Sequence, residues 1–137
     1  SGVKYVLIGG FAVNYYGYPR ATADIDLLVE SSEENLTRVK KALSFLPDNA
    51  VRLVSVADMQ EYGVLRIADE IVVDILKEIS GIKYENAGIE RSEHNGVTIP
   101  VATVKTLIKT KELSMRPKDK DDILFLRIVE REEGENK

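Results

Sequence analysis

Apolar and polar positions along the 137 residues fall into short runs whose spacing changes between two and about 3.6, as strands alternating with helices would require. Tyr5-Val6-Leu7-Ile8 is a buried-strand run closed by Gly9-Gly10. Phe11 to Tyr16 then predicts a short helix, stopped by Gly17 and Pro19. Residues 23–30 read as a second strand. Ser31 with Glu34 has capping-box spacing and opens a helix with the inward stripe Leu36, Val39, Leu43 and Leu46, ended by Pro47.

Residues 51–56 suit a strand and 57–62 a helical turn. Residues 64–67 and 71–76 predict two strands joined around Asp69-Glu70. Asn95-Gly96, between 90–94 and 97–101, is a strong two-residue hairpin signal. Two helices are expected over 103–114 and 117–131, the second opened by Pro117 at a position that tolerates proline. The polar residues 132–137 are expected to fray. No repeat, low-complexity tract or linker interrupts this order. The expectation is one domain over residues 1–137, of class α/β (α+β), with a mixed β-sheet flanked by helices.

Composition narrows the chemistry more than the fold. With 44% hydrophobic residues a real core can be built. No apolar stretch approaches the ~20 residues of a membrane helix, and no basic segment leads into an apolar one. A protein away from membranes, in the cytoplasm, is expected. The chain has no cysteine, which excludes disulfides and thiolate nucleophiles, and one histidine, His94, which excludes a multi-histidine zinc site. A catalytic metal would have to be held by carboxylates, which suits a hard ion such as Mg²⁺. The net charge of −4 argues against a surface built to wrap duplex nucleic acid. A local basic patch gripping one RNA end is still compatible with it.

Three acids concentrate the chemistry. In the strand containing Asp24-Ile25-Asp26-Leu27, alternation points Asp24 and Asp26 to one face. Two carboxylates side by side near a core repel each other and are costly unless a cation sits between them. A solvated strand end is the bland alternative. Asp74 interrupts the apolar run Ile71-Val72-Val73-Asp74-Ile75-Leu76, sharing its face with Val72 and Leu76. An isolated buried carboxylate needs a partner, and a metal shared with the first pair would supply one. Phosphoryl-transfer chemistry uses carboxylates in this way, to hold divalent ions against a triphosphate.

Other candidates surround these acids. Gly9-Gly10, between strand and helix, would let a phosphate approach the backbone, or is simply a turn. Arg20, four residues before Asp24, fits either a triphosphate contact or a solvated loop cation. Lys111 continues the apolar stripe of Val104, Leu107 and Ile108; it either snorkels to water or aims at the triphosphate. Asp119 and Asp122 are accounted for by the dipole of the last helix, though their register with Leu126 points inward. Arg116 is placed to pair with either acid or with a phosphate. Lys105, Lys109 and His94 read as surface.

The pattern Gly-Gly, short helix, Arg-x-Thr-x-Asp-x-Asp (residues 9–26) resembles the signature of the polymerase-β-like nucleotidyltransferase superfamily. Asp74 on a later strand and the run Leu107, Ile108, Lys111, Arg116, Lys118, Asp119, Asp122 bring it closer to the minimal and AbiEii-type toxin nucleotidyltransferases. The likeness spans residues 5 to about 126. It implies a polymerase-β palm-like fold, two Mg²⁺ ions on Asp24 and Asp26, and Asp74 on the catalytic ion, helping to deprotonate the acceptor. It further implies that Gly9 and Gly10 cradle the β/γ-phosphates, with Arg20, Lys111, Arg116 and Asp119 around the nucleotide. Many superfamily members carry Gly-Ser where this chain has Gly-Gly, so the backbone or Thr22 would replace the missing hydroxyl.

The expected function is Mg²⁺-dependent transfer of a nucleotidyl group from a nucleoside triphosphate (NTP) to a hydroxyl of a tRNA 3′ end, a protein or a small molecule. A toxin–antitoxin role, with an antitoxin protein as partner, belongs to the same expectation. The competing readings are a catalytically silent nucleotide-binding module and a protein-interaction module whose acids are structural.

Overall fold

Buried β-formers near the start of the chain become the centre of a six-stranded sheet, because both of its faces are covered by helices. The computed structural model describes residues 2–19 and 21–135. The sheet contains β1 (Tyr5–Ile8), β2 (Asp24–Val29), β3 (Val64–Ala68) and β4 (Val72–Leu76). A two-stranded hairpin follows, β5 (Glu78–Ile79) with β6 (Ile82–Lys83), and then β7 (Ile89–His94) and β8 (Val97–Ala102) complete the sheet. Its order is β3-β4-β2-β1-β8-β7. The pairs β2/β4 and β1/β8 are parallel and the other neighbours antiparallel, so the sheet is mixed as expected.

Successive strand residues feed two separate cores, as the pleat dictates. On one face Ile8, Leu28 and Leu76 pack against α1 (Gly9–Tyr15), α4 (Val104–Lys111) and α5 (Pro117–Glu135). On the other, Val29, Val73 and Ile75 pack against α2 (Glu33–Leu43) and α3 (Val56–Glu61). Leu107 of α4 and Leu126 of α5 are both completely buried. Burial of each such side chain contributes about 1.5–3 kcal/mol, enough to clamp the two C-terminal helices together.

Several boundaries differ from those the pattern predicts. Ser32, not Ser31, caps α2, its Oγ accepting from the Asn35 N–H at 3.1 Å. The buried Asn35 side chain sets that start. It accepts from the Lys4 N–H at 2.7 Å and donates to the Lys4 and Glu30 carbonyls at 3.0 and 2.8 Å. The helix ends at Leu43, leaving Leu46 beyond it.

Residues 51–56 form no strand. A 3₁₀ turn, Ala50–Leu53, takes their place, and α3 then starts behind a capping box made by Ser55 and Asp58. The Asp69 carboxylate accepts the N–H groups of Asp48 and Ala50 at 2.9 and 2.8 Å, so these donors need no neighbouring strand. Helix α5 extends through Glu135, its glutamates outweighing the weak helix preference of Gly134, and residues 136–137 of the tail expected to fray lie outside the described residues. No described helix is long and apolar enough to cross a membrane.

Candidate active site

Parallel pairing of β2 with β4 sets the central geometry. Asp26 stands opposite Asp74 in register, and Asp24 opposite Val72. Alternation then puts Asp24, Asp26 and Asp74 on the same sheet face, the one covered by α1, α4 and α5. Ile8 pairs with Asp26 across β1, so the chain leaves β1 directly beside this acid.

Gly9 follows at φ +72°, a left-handed conformation that glycine adopts without strain. A Cβ there would collide with Oδ2 of Asp26 and lie 2.9 Å from its carboxyl carbon. The missing side chain therefore makes room for an aspartate of the protein itself, besides leaving the backbone open to the cleft.

These residues border a cleft of about 650 Å³, within the roughly 300–1,000 Å³ of ordinary small-ligand sites. Gly9, Gly10, Thr22, Asp24, Asp26 and Asp74 line it from the sheet side. Lys111, Arg116 and Asp119 line it from α4, the α4–α5 connection and α5. The structure thus gathers into one cleft residues more than a hundred positions apart. Arg20 lies outside the described residues.

Electrostatics divide the cleft in two. On the sheet side, burial pushes the Asp26 carboxyl up to about 6, assisted by the adjacent Asp74 carboxyl and by the charge of Asp24. Opposite, burial would raise the Asp119 carboxyl too. Hydrogen bonds from Ser114 Oγ (2.6 Å), Arg116 Nε (2.7 Å) and Lys111 Nζ (3.1 Å) outweigh that and hold it at about 2. Lys111, aligned with an apolar stripe, does not snorkel. Its side chain is 7% exposed and its ammonium lies between Asp119 and Asp122, 3.0 Å from the latter. The bonds to Lys111 and Arg116 also give Asp119 a role beyond the helix dipole.

Arg66 on β3 is the residue that pattern reasoning missed. Paired in register with Asp74, it donates from Nε to Oδ1 at 2.9 Å and from Nη2 to Oδ2 at 3.0 Å. The same Nη2 lies 3.0 Å from Asp24 Oδ2. In the sequence, Leu65-Arg66-Ile67 looks like a strand with one solvated cation. Only the register of β3 on β4 reveals the fork.

Three carboxylates on one face are hard oxygen donors of the kind Mg²⁺ takes. Among the described residues, however, no group of three or more acidic or histidine side chains is arranged to hold a metal ion as it stands. The guanidinium of Arg66 is drawn in across two of the three acids. The donor chemistry fits a divalent cation.

Residues 1–122 match the family model described as "Nucleotidyl transferase AbiEii toxin, Type IV TA system". The chain belongs to the AbiEii nucleotidyltransferase toxin family. The match covers the whole cleft, from Ile8 to Asp119. It makes the chain a transferase of the toxin–antitoxin class and agrees with the mixed sheet flanked by helices. No curated protein matches the chain.

Proposed function

We propose that this AbiEii-family transferase moves a nucleotidyl group from an NTP, in the presence of Mg²⁺, to a hydroxyl acceptor, as the toxin of a toxin–antitoxin pair. The observation that carries this reading is the meeting of Asp24, Asp26 and Asp74 on one sheet face at a nucleotide-sized cleft. These three side chains would hold the divalent ions, which supply charge neutralisation for the triphosphate and the leaving pyrophosphate.

The acceptor oxygen attacks the α-phosphorus, the bridging P–O bond to the β-phosphate breaks, and pyrophosphate leaves. Asp74 takes the hydroxyl proton. Gly9 and Gly10 present backbone to the phosphates without side-chain obstruction. Lys111 and Asp119, locked together, fix the opposite wall, while Arg116, largely exposed and tied to Asp119 through Nε, borders the cleft where a phosphate would lie. Thr22, half-buried at the cleft, supplies a hydroxyl where many relatives of this chemistry carry one after the first glycine. Arg20 is assigned to the triphosphate from the sequence pattern alone.

The test is incubation of the purified chain with each labelled NTP, MgCl₂ and, separately, cellular RNA, protein and small-molecule pools. One pool should acquire label while pyrophosphate is released. Asp24→Ala and Asp26→Ala should each lower the rate by on the order of a thousandfold, the several kcal/mol that bound ions supply, with the fold intact. Full activity in both variants would remove the site assignment. NTP binding without pyrophosphate release would leave a silent binding module instead.

A further inference from the structure

Three carboxylates share one face of the sheet, and among the described residues the guanidinium of Arg66 reaches two of them from outside the cluster. Arg66 comes from β3, the edge strand, and its side chain is 60% exposed, against 39% for Asp24 and 12% for Asp74. Its anchoring is specific. Two N–H groups meet the two oxygens of Asp74 as a fork, and one of the same nitrogens reaches on to Asp24. A lysine ammonium, as a point charge, could not make that planar double contact.

Both Asp74 oxygens are therefore occupied by protein donors, and so is one oxygen of Asp24. The fork takes one lone pair on each of these oxygens, and a full positive charge at hydrogen-bonding distance repels a divalent ion that would use the others. The long, exposed side chain can leave without disturbing either core, since neither hydrophobic cluster includes it. Val64, on the same face of β3, and the exposed Leu113 line the cleft with it, so a withdrawn Arg66 still borders the space above the acids.

We propose that Arg66 is a place-holding cation. In the metal-free protein it bridges Asp74 and Asp24, it must release them when a divalent ion binds, and it thereby sets the metal affinity of the site. The proposal rests on the reading that these aspartates take the ion. Arg66 is a positioning residue in this account, holding two acids together against their mutual repulsion until the ion replaces it.

Mn²⁺ alone, without nucleotide, is the probe. Its binding to the wild-type chain, Arg66→Ala and Arg66→Gln is measured by loss of the free-ion paramagnetic resonance signal, and thermal unfolding is followed with and without the ion. Removal of a competing charge at this distance should tighten binding about tenfold or more in both variants. It should lower the unfolding temperature of the metal-free forms and enlarge the rise that Mn²⁺ produces. Wild-type binding that the variants match or fall below would overturn the place-holder and leave the aspartate site standing. A lower unfolding temperature with unchanged affinity would make Arg66 a purely structural ion pair, and would overturn it equally. Absence of Mn²⁺ binding in all three proteins would sink both this proposal and the reading on which it rests.

Discussion

Two acid clusters face each other across the cleft, and they are built to opposite ends. On the α4–α5 side, the carboxylates of Asp119 and Asp122 meet the cations Lys111 and Arg116, and Ser114 adds a further donor. Side chains of Lys111, Asp119 and Asp122 are at most 7% exposed. On the sheet side, among the described residues, three carboxylates meet the fork of Arg66, which lies mostly in solvent. The shifts follow: Asp119 is held at about 2 and Asp26 is pushed up to about 6.

Among the described residues, similar ingredients thus give a charge-balanced network in one place and an excess of negative charge in the other. A fold tolerates such an excess where a ligand's cation relieves it, which is why the sheet cluster, and not the better-connected one, is the place to look for chemistry.

The comparison breaks most sharply at Lys111. Lys111→Met leaves two buried carboxylates without their shared ammonium and should cost about 3–5 kcal/mol in urea unfolding, the usual penalty for orphaning one side of a buried pair. A loss well under 1 kcal/mol would mean that this network does not hold the two helices together.

Acid titration sharpens it next. The Asp119 carboxyl lies below its ordinary value of 3.8 in the folded chain, so the folded state binds fewer protons than the unfolded one between that value and about 2. Its contribution, roughly 2 kcal/mol, is fully present above the ordinary carboxylate range and is lost as pH falls through about 2. Asp119→Asn should abolish that part of the acid loss when stability is followed from about pH 5 downward.

The smallest effect has the opposite sign. Asp26 is raised, so its ionised form works against folding at neutral pH. Asp26→Asn in the metal-free protein should gain about 1 kcal/mol after allowance for solvent screening, while transfer is lost. Destabilisation by this change would show that the sheet acids are structural, like their counterparts across the cleft.

How much of this was legible in the sequence depends on the range of the interaction. Strands β1, β2, β4 and β8 and the helices α2, α4 and α5 are announced by local periodicity and turn chemistry, which act over a few residues. Residues 51–56 were misread because the chain entering them is turned by Asp69, about twenty residues away, which captures the amides of Asp48 and Ala50, and no local pattern reports this. The cap of α2 moved by one residue for the same kind of reason, through the bonds of Asn35 to Lys4 and Glu30. The hairpin β5/β6, two residues per strand, is too short to carry a period.

The candidate acids were visible for a different reason. A charged residue inside an apolar run is conspicuous, since burial of a lone carboxylate is costly wherever it occurs. Alternation along one strand already placed Asp24 beside Asp26. The tertiary structure alone decided that Asp74 would join them, since that depends on β2 and β4 pairing in parallel at one register and not a residue to either side. It alone decided that Lys111 would be buried between Asp119 and Asp122, and that Arg66 would reach across a strand to clasp two acids. Side-chain identity sets which charges exist, and the packing of distant segments sets which of them are neutralised.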